Sequence, residues 1–252
     1  MSVEDFYDGL AEDYHLVYAD RWDEAVAGQG AALAAVIRAL SPDAADVLDC
    51  SCGIGTQAIG LALQGYAVTG TDISAASVAR AREEAERLGA AVEFGVADFR
   101  DLDGVDGDFD VVLSCDNALP HLLADADVDA ALAAMHGKLR PGGALLVSVR
   151  DYDTALVTRP VTAPPQVIEG PPRQVVVRLH EWDAPGSSLY TVRFLVLTES
   201  ADGWSVREHA GRYRAVTRAA LSAAAAGAGF EELHWHAAAE VGYHQPLLTA
   251  RR

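Results

Sequence analysis

Basic residues are scarce in this chain of 252: 19 lysines and arginines stand against 37 acidic residues, a formal net charge of −18. A polyanion needs a positive face, so this balance argues against nucleic acid or an anionic membrane surface as partner. The acidic surplus reads as a solubilising surface. Long hydrophobic runs are also missing. No segment is long and apolar enough to span a bilayer, and the N-terminus has no apolar leader core. Cysteine is limited to Cys50, Cys52 and Cys115. An odd count without a leader is expected of a reducing, cytoplasmic setting. A C-x-C pair with no second Cys/His pair nearby is poor zinc spacing, so no metal is expected, and the three thiols read as small buried residues. There is no internal repeat and no low-complexity tail. The length fits one large domain, or one domain with an insertion.

The richest stretch is Val47-Leu-Asp-Cys-Ser-Cys-Gly-Ile-Gly-Thr. An apolar run ends in Asp49, Gly53 and Gly55 follow, and a helical pattern comes next. A strand feeding a glycine turn and a helix lets backbone N–H groups approach a nucleotide-like ligand, because glycine has no Cβ in the way. Nineteen residues beyond Gly53, a second apolar run ends in Asp72. An acid there can accept both hydroxyls of a ribose.

Strand and helix patterns then alternate. Strands are expected at 47–52, 67–72, 92–97, 109–115 and 145–150, with helices at 56–64, 74–88 and 127–139 between them. Upstream, residues 1–45 read as helical, with Tyr7, Leu10, Tyr14 and Val17 at helical spacing and a second helix at 32–40. The alternation implies a parallel sheet covered by helices on both faces. After residue 150 the pattern changes. A proline-rich, loop-like stretch (158–173) precedes three alternating runs, 175–182, 190–198 and 204–213, joined by Ala184-Pro-Gly and Ala201-Asp-Gly turns, as in an antiparallel meander. A helix at 218–226 and strands at 230–235 and 246–250 close the chain.

Ligands of open parallel sheets bind beyond the carboxyl ends of the strands. Those ends here carry Asp49 to Gly55, Asp72, Asp98, Asp116 with Asn117, and Arg150 with Asp151. One acidic strand end means little, but a row of them implies a nucleotide-like ligand. Gly53-x-Gly55-x-x-Ala58 alone also satisfies the loose dinucleotide fingerprint. The full set, Asp-Cys-Ser-Cys-Gly-Ile-Gly-Thr, Thr-Gly-Thr-Asp, Val-Ala-Asp-Phe and Arg-Pro-Gly-Gly, resembles the class I S-adenosylmethionine-dependent methyltransferases over roughly residues 47–150. Ser114-Cys-Asp-Asn-Ala-Leu-Pro-His, Arg150-Asp-Tyr-Asp and Gly242-Tyr-His-Gln-Pro extend the likeness, over nearly the whole chain, to the glycine/sarcosine N-methyltransferase group, which includes natural-product azapteridine N-methyltransferases.

The resemblance implies an α/β, Rossmann-like seven-stranded sheet whose last strand is antiparallel, with helices on both faces. It further implies a helical lid (1–45), a cofactor-binding core (46–155), an antiparallel insert covering the substrate after the fifth strand (156–216) and a C-terminal completion of the core (217–252). The implied cofactor is S-adenosyl-L-methionine, leaving as S-adenosyl-L-homocysteine. Asp49, Gly53 and Gly55 would face its methionine part, Asp72 with Ile73 its ribose, and Asp98 with the Phe99 N–H its adenine. Asn117, Leu119 and His121 would floor the site near the sulfonium. Arg150 would sit where the family binds an amino-acid carboxylate, and Tyr7, Tyr14 and Tyr18 would lie in the lid beside the substrate. The chain departs from the group at Gly28, where a basic residue often precedes the lid helix's Gln-Ala or Gln-Gly; Arg21 or backbone donors are the available substitutes.

The expected reaction is in-line methyl transfer to an amine or heteroaromatic nitrogen of a small specialised metabolite, with glycine or sarcosine as the alternative substrate. An aliphatic ammonium must first lose a proton, for which His121, Asp116 or Tyr14 is the candidate acceptor. Each residue also has a plainer role open to it. His121 can be a satisfied wall histidine, Arg150 can pair with Asp151 or Asp153, and the lid tyrosines can be a packed helix face. Trp182 and Tyr190 read as packing. A non-catalytic S-adenosylmethionine sensor is the competing class of function, and a nicotinamide enzyme is disfavoured by the second acid at Asp98. Homodimerisation is compatible with the sequence and not specified by it.

Overall fold

A computed structural model of the chain describes residues 2–19 and 21–252. The first helix, α1 (Val3–Leu10), opens on a capping box in which Ser2 and Asp5 satisfy each other's backbone N–H groups. It buries Phe6 and Leu10, one turn apart, and leaves Tyr7 beside them facing the site. Burial of those two side chains contributes about 1.5–3 kcal/mol each. A short 3₁₀ turn (Tyr14–Tyr18) leads to α2 (Trp22–Leu40). This helix starts ten residues before the sequence pattern predicts. Gly28 and Gly30 weaken the pattern, but Gly30 serves packing. A Cβ there would fall onto the Gly60 backbone, so the pair lets α2 and α3 (Thr56–Ala62) cross in contact.

The core alternates from there: β1 (Asp46–Asp49), α3, β2 (Ala67–Asp72), α4 (Ala75–Leu88), β3 (Val92–Val96), β4 (Phe109–Ser114), α5 (Asp125–Lys138) and β5 (Leu139–Ser148). β5 begins six residues earlier than expected, because Arg140-Pro-Gly-Gly enters the strand through an irregular register against β4. A short helix unseen in the sequence, α6 (Tyr152–Thr158), then leads to β6 (Gln166–Ile168), a strand hidden in the proline-rich stretch. The meander follows as β7 (Gln174–Trp182), β8 (Leu189–Ser200) and β9 (Gly203–Arg214). α7 (Arg218–Gly227), β10 (Glu231–His236), the one-turn α8 (Ala238–Val241) and β11 (Leu247–Arg251) finish the chain.

The larger sheet has seven strands in the order β10-β11-β5-β4-β1-β2-β3. β1 through β5 pair in parallel, and β11 runs antiparallel to both its neighbours. Val111 to Leu113 and Leu145 to Val147 are fully buried, as expected for strands covered on both faces. The order reverses between β1 and β4, which opens a crevice at the carboxyl ends of those strands. The smaller sheet, β6-β7-β8-β9, is antiparallel and buries Val176, Val192, Phe194 and Val196 on its inner face. Among the described residues, no helix is long and apolar enough to cross a membrane.

Candidate active site

At the end of β1 the chain turns through Gly53 and Gly55, at φ +52° and +91°. A Cβ on Gly55 would lie 2.7 Å from Ile59, so only glycine fits there. Asp72, at the end of β2, straps this turn in place. One of its carboxylate oxygens accepts the Gly53 N–H at 2.9 Å and the other accepts the Ser74 N–H at 3.0 Å. Burial raises the Asp72 carboxyl, and those two N–H groups oppose the rise. Asp49 is fully buried behind the turn. Burial pushes its carboxyl up to about 8, against the opposing N–H of Ser51, and its Oδ2 has no partner among the described residues.

These residues border a cavity of about 260 Å³. Ile73, Phe99, Leu122 and Leu123 give it apolar walls, while Asp72 and Asp98 offer carboxylates. An apolar slot with an acid at each of two strand ends suits an adenosine: the base in the slot, one acid for ribose hydroxyls and one for the adenine amine. Space above Gly53, where a Cβ would meet nothing within 4 Å, admits a ligand against the backbone. Asp98 is held at 2.5 Å by Arg100, which also reaches Asp127 at 3.1 Å. Burial would raise the Asp98 carboxyl, but Arg100 more than offsets it and holds it low.

A second cavity, of about 660 Å³, lies between the core and the small sheet. Tyr7, Tyr14 and Asp116 border both cavities, so two ligands would meet there. Asp116 and Asn117 occupy the left-handed region at φ +54° and +72°, a conformation that costs on the order of 1–3 kcal/mol per residue. Ser148 sustains it: its hydroxyl accepts the Asp116 N–H at 2.8 Å and its carbonyl accepts the Asn117 N–H at 3.2 Å. The bend aims the Asp116 carboxylate into a ring of donors. Tyr18 gives its hydroxyl hydrogen at 2.7 Å, Tyr14 more distantly at 3.4 Å, Gln245 its amide at 3.1 Å, and the His244 Nε2 stands at 3.0 Å. Burial alone would raise Asp116, but His244, Tyr18 and the charge of Arg150 hold its carboxyl below the ordinary range. Burial in turn keeps Tyr7, Tyr14 and Tyr18 as neutral phenols.

The expected residues therefore divide into groups. Gly53, Asp72, Ile73, Asp98, Phe99 and His121 line the first cavity, and Tyr18, Asn117 and Arg150 the second. Asp49 and Gly55 support the turn from behind, and Leu119 is buried away from both cavities. Asn117, expected among the cofactor residues, lines the second cavity and not the first. Its Oδ1 accepts the Arg150 N–H at 3.1 Å and its Nδ2 is unpartnered among the described residues.

His121 does not offer a free lone pair. Its Nδ1 lies 3.2 Å from the Arg212 carbonyl, an acceptor, so Nδ1 carries the hydrogen and Nε2 accepts from the Tyr7 hydroxyl at 2.8 Å. Burial lowers its pKa to about 3, so the ring stays neutral. That geometry positions Tyr7 and leaves proton transfer to others. The alternative pairing for Arg150 is absent, because Asp151 and Asp153 both pair with Arg218. Trp182 stacks on Tyr190 at 4.6 Å, as packing residues do. At the Gly28 departure, Arg21 also borders the second cavity.

Three contributors escaped the sequence reading. His244 and Gln245 belong to the Gly242-Tyr-His-Gln-Pro motif, which carried no assigned role. Arg178 is a lone charge within Val175-Val-Val-Arg-Leu, a clue that was available in the alternation.

Comparison with known proteins agrees with this geometry. Residues 47–143 match the family described as methyltransferase domain. A glycine/sarcosine N-methyltransferase of Parasynechococcus marenigrum is 32% identical over 154 residues, which is 59% of this chain and 55% of that protein. A dTDP-3-amino-3,6-dideoxy-alpha-D-glucopyranose N,N-dimethyltransferase of Streptomyces fradiae is 32% identical over 58% of this chain and 52% of its own length. The chain thus spans about half the length of these curated relatives. The solved S-adenosylmethionine-bound amino pentose methyltransferase from Micromonospora echinaspora is 26% identical and superposes with a TM-score of 0.76, over 95% of this chain and 96% of that one. With the strand order, the Gly53–Asp72 strap and the adenosine-shaped cavity, these matches support a class I S-adenosylmethionine-dependent methyltransferase, with the methyltransferase domain matched over residues 47–143.

Proposed function

We propose that this protein transfers a methyl group to a nitrogen of a small specialised metabolite bearing an amine. The observation that carries this reading is the wall shared by the two cavities, where Asp116 is held by a ring of donors between the cofactor side and the substrate side. When bound, S-adenosylmethionine supplies an already activated methyl on a sulfonium. The task left to the protein is therefore to place a nitrogen lone pair in line with that methyl and to exclude water.

In this reading Tyr14 and Tyr18 orient the nitrogen. Each phenol gives its hydrogen to Asp116, so its oxygen lone pairs are left to accept from a substrate N–H. Asp116 fixes both phenols and attracts an incoming ammonium. With donors on both of its oxygens Asp116 is a weak acceptor for the amine's proton, which leaves to solvent water before transfer, while the tyrosine–Asp116 cluster holds the free amine in place. His121 keeps Tyr7 in register. Asp72, Asp98, Ile73 and Phe99 hold the adenosine, with the Gly53 backbone beside the methionine part.

Amino acids such as glycine or sarcosine are the second reading, favoured by Arg150 and by the Parasynechococcus relative. The size of the second cavity favours a larger amine, and pockets of ~300–1,000 Å³ suit drug-sized ligands. The test is calorimetry with S-adenosylmethionine and S-adenosylhomocysteine, followed by a donor-labelled screen of glycine, sarcosine, amino sugars and heteroaromatic amines. Micromolar cofactor binding with label reaching an amine supports the proposal. One-to-one binding with no transfer to any amine would leave the sensor reading standing in its place.

A further inference from the structure

Resting on the methyltransferase reading, we propose that Arg150 and Arg178 together form a receptor for a phosphoryl group, so that the substrate is an amine carrying a phosphate or diphosphate ester. Both guanidinium-bearing residues line the second cavity, and neither has a carboxylate partner among the described residues. Arg150 stands at the carboxyl end of β5, its guanidinium carbon 5.9 Å from the centre of the Tyr213 ring. Arg178 projects from β7 on the face that otherwise buries Val176, Val192, Phe194 and Val196, and pairs across the strands with Phe194. An aliphatic residue would pack there without cost, whereas a half-buried cation with no carboxylate in direct contact, and only the more distant charge of Asp116 to offset it, is expensive to keep.

The two arginines also act on each other. Burial lowers the pKa of Arg178, and the neighbouring charge of Arg150 lowers it further. A single carboxylate fills one guanidinium fork bidentately and leaves the second cation unpaired. A phosphoryl group carries about −1.5 to −2 charges and three acceptor oxygens, enough for both forks. Asp116 marks the opposite demand in the same cavity, an anion suited to the amine end where Arg150 and Arg178 suit the ester end; Arg21 and Glu24, one charge of each sign, also border it. A cavity of about 660 Å³ has room for a molecule spanning both, and glycine would leave most of it empty.

The test titrates pyrophosphate, phosphate and acetate into protein saturated with S-adenosylhomocysteine, for wild type, Arg178→Met and Arg178→Lys. Pyrophosphate is expected to bind wild type at least tenfold more tightly than acetate. Arg178→Met should weaken it at least tenfold, Arg178→Lys less, and S-adenosylhomocysteine affinity should hold in both, which also reports that the variants fold. Equal binding of acetate and pyrophosphate, or pyrophosphate affinity indifferent to Arg178→Met, overturns the phosphoryl assignment while leaving the methyltransferase reading intact. Loss of S-adenosylhomocysteine binding by the wild type itself overturns both.

Discussion

The two cavities are built in opposite ways. The first cavity, on the proposed cofactor side, is built mostly from the ends of β1, β2 and β3 between residues 51 and 100, closed by α1 and by parts of the 115–123 segment. The substrate side gathers residues from the lid, from β4 and β5, from the small sheet and from the 242–245 segment. One is a local device repeated along a sheet edge, and the other is an assembly of distant parts. On the proposed function, cofactor recognition would depend on a few strand ends and backbone turns, whereas substrate recognition would depend on how four separate regions dock.

The largest effect that would sharpen this contrast is expected on the cofactor side. Asp72→Ala removes the strap on the glycine turn, the bond to the Ser74 N–H and the ribose acceptor, and should weaken S-adenosylhomocysteine at least about 100-fold, roughly 3 kcal/mol, in calorimetry. Retained affinity would break the comparison. On the substrate side, Asp116→Asn loosens Tyr14, Tyr18 and His244 together. Methyl transfer should fall about 100-fold while cofactor affinity changes much less, since small misplacements of reacting groups cost that much. Tyr18→Phe should cost roughly tenfold in kcat, and Tyr14→Phe less, following their 2.7 and 3.4 Å distances to Asp116. An equal effect at both sites would mean that these distances do not rank them.

The legibility of the chain follows the same divide. Asp49, Gly53, Asp72 and Asp98 could be read in the sequence because each sits where an apolar run stops, and a parallel strand end is a fixed place in space. Tyr7 and Tyr14 were legible as lid aromatics, but the shift from Phe6 as core to Tyr7 as cavity wall is decided by β9, which lies 200 residues away. The start of α2 was hidden because glycine weakens helical patterning, and the reason for Gly30 is a backbone on another helix. His244 was obscured because its partner Asp116 comes from another segment, and Arg178 because the cavity it lines is assembled from other segments. The shared wall at Asp116 depends on two consecutive left-handed residues that no periodicity reports.

Smaller effects test the supporting shell. The folded-state pKa of His121, about 3, lies below its ordinary value of 6.5, so the unfolded chain takes up the proton first on acidification. The neutral buried ring therefore contributes stability that is present above about 6.5 and is lost as pH falls toward 3, at about 1.4 kcal/mol per unit. Chemical denaturation across that window should show a flatter acid limb for His121→Gln than for wild type. Parallel limbs would mean that the ring titrates normally. Gly30→Ala should destabilise by about 1–3 kcal/mol through overpacking on Gly60, whereas Gly28→Ala, with open space and a helical backbone, should stabilise by up to about 1 kcal/mol. Matching shifts in melting temperature at the two sites would refute the packing role given to Gly30.

The N-terminal segment is fastened at both ends. Asp8 of α1 accepts hydrogen bonds from the Ser74 hydroxyl and the Ala76 N–H at the start of α4. Asp13, buried just past the helix, holds Arg207 at 2.5 Å and His209 at 3.2 Å on β9. On the proposed methyltransferase reading, such a buckle would act as a clock: lifting it from α4 would strain its tie to the small sheet, so discharge of the spent donor and escape of the methylated product would be linked, and each further methylation would wait for it to open.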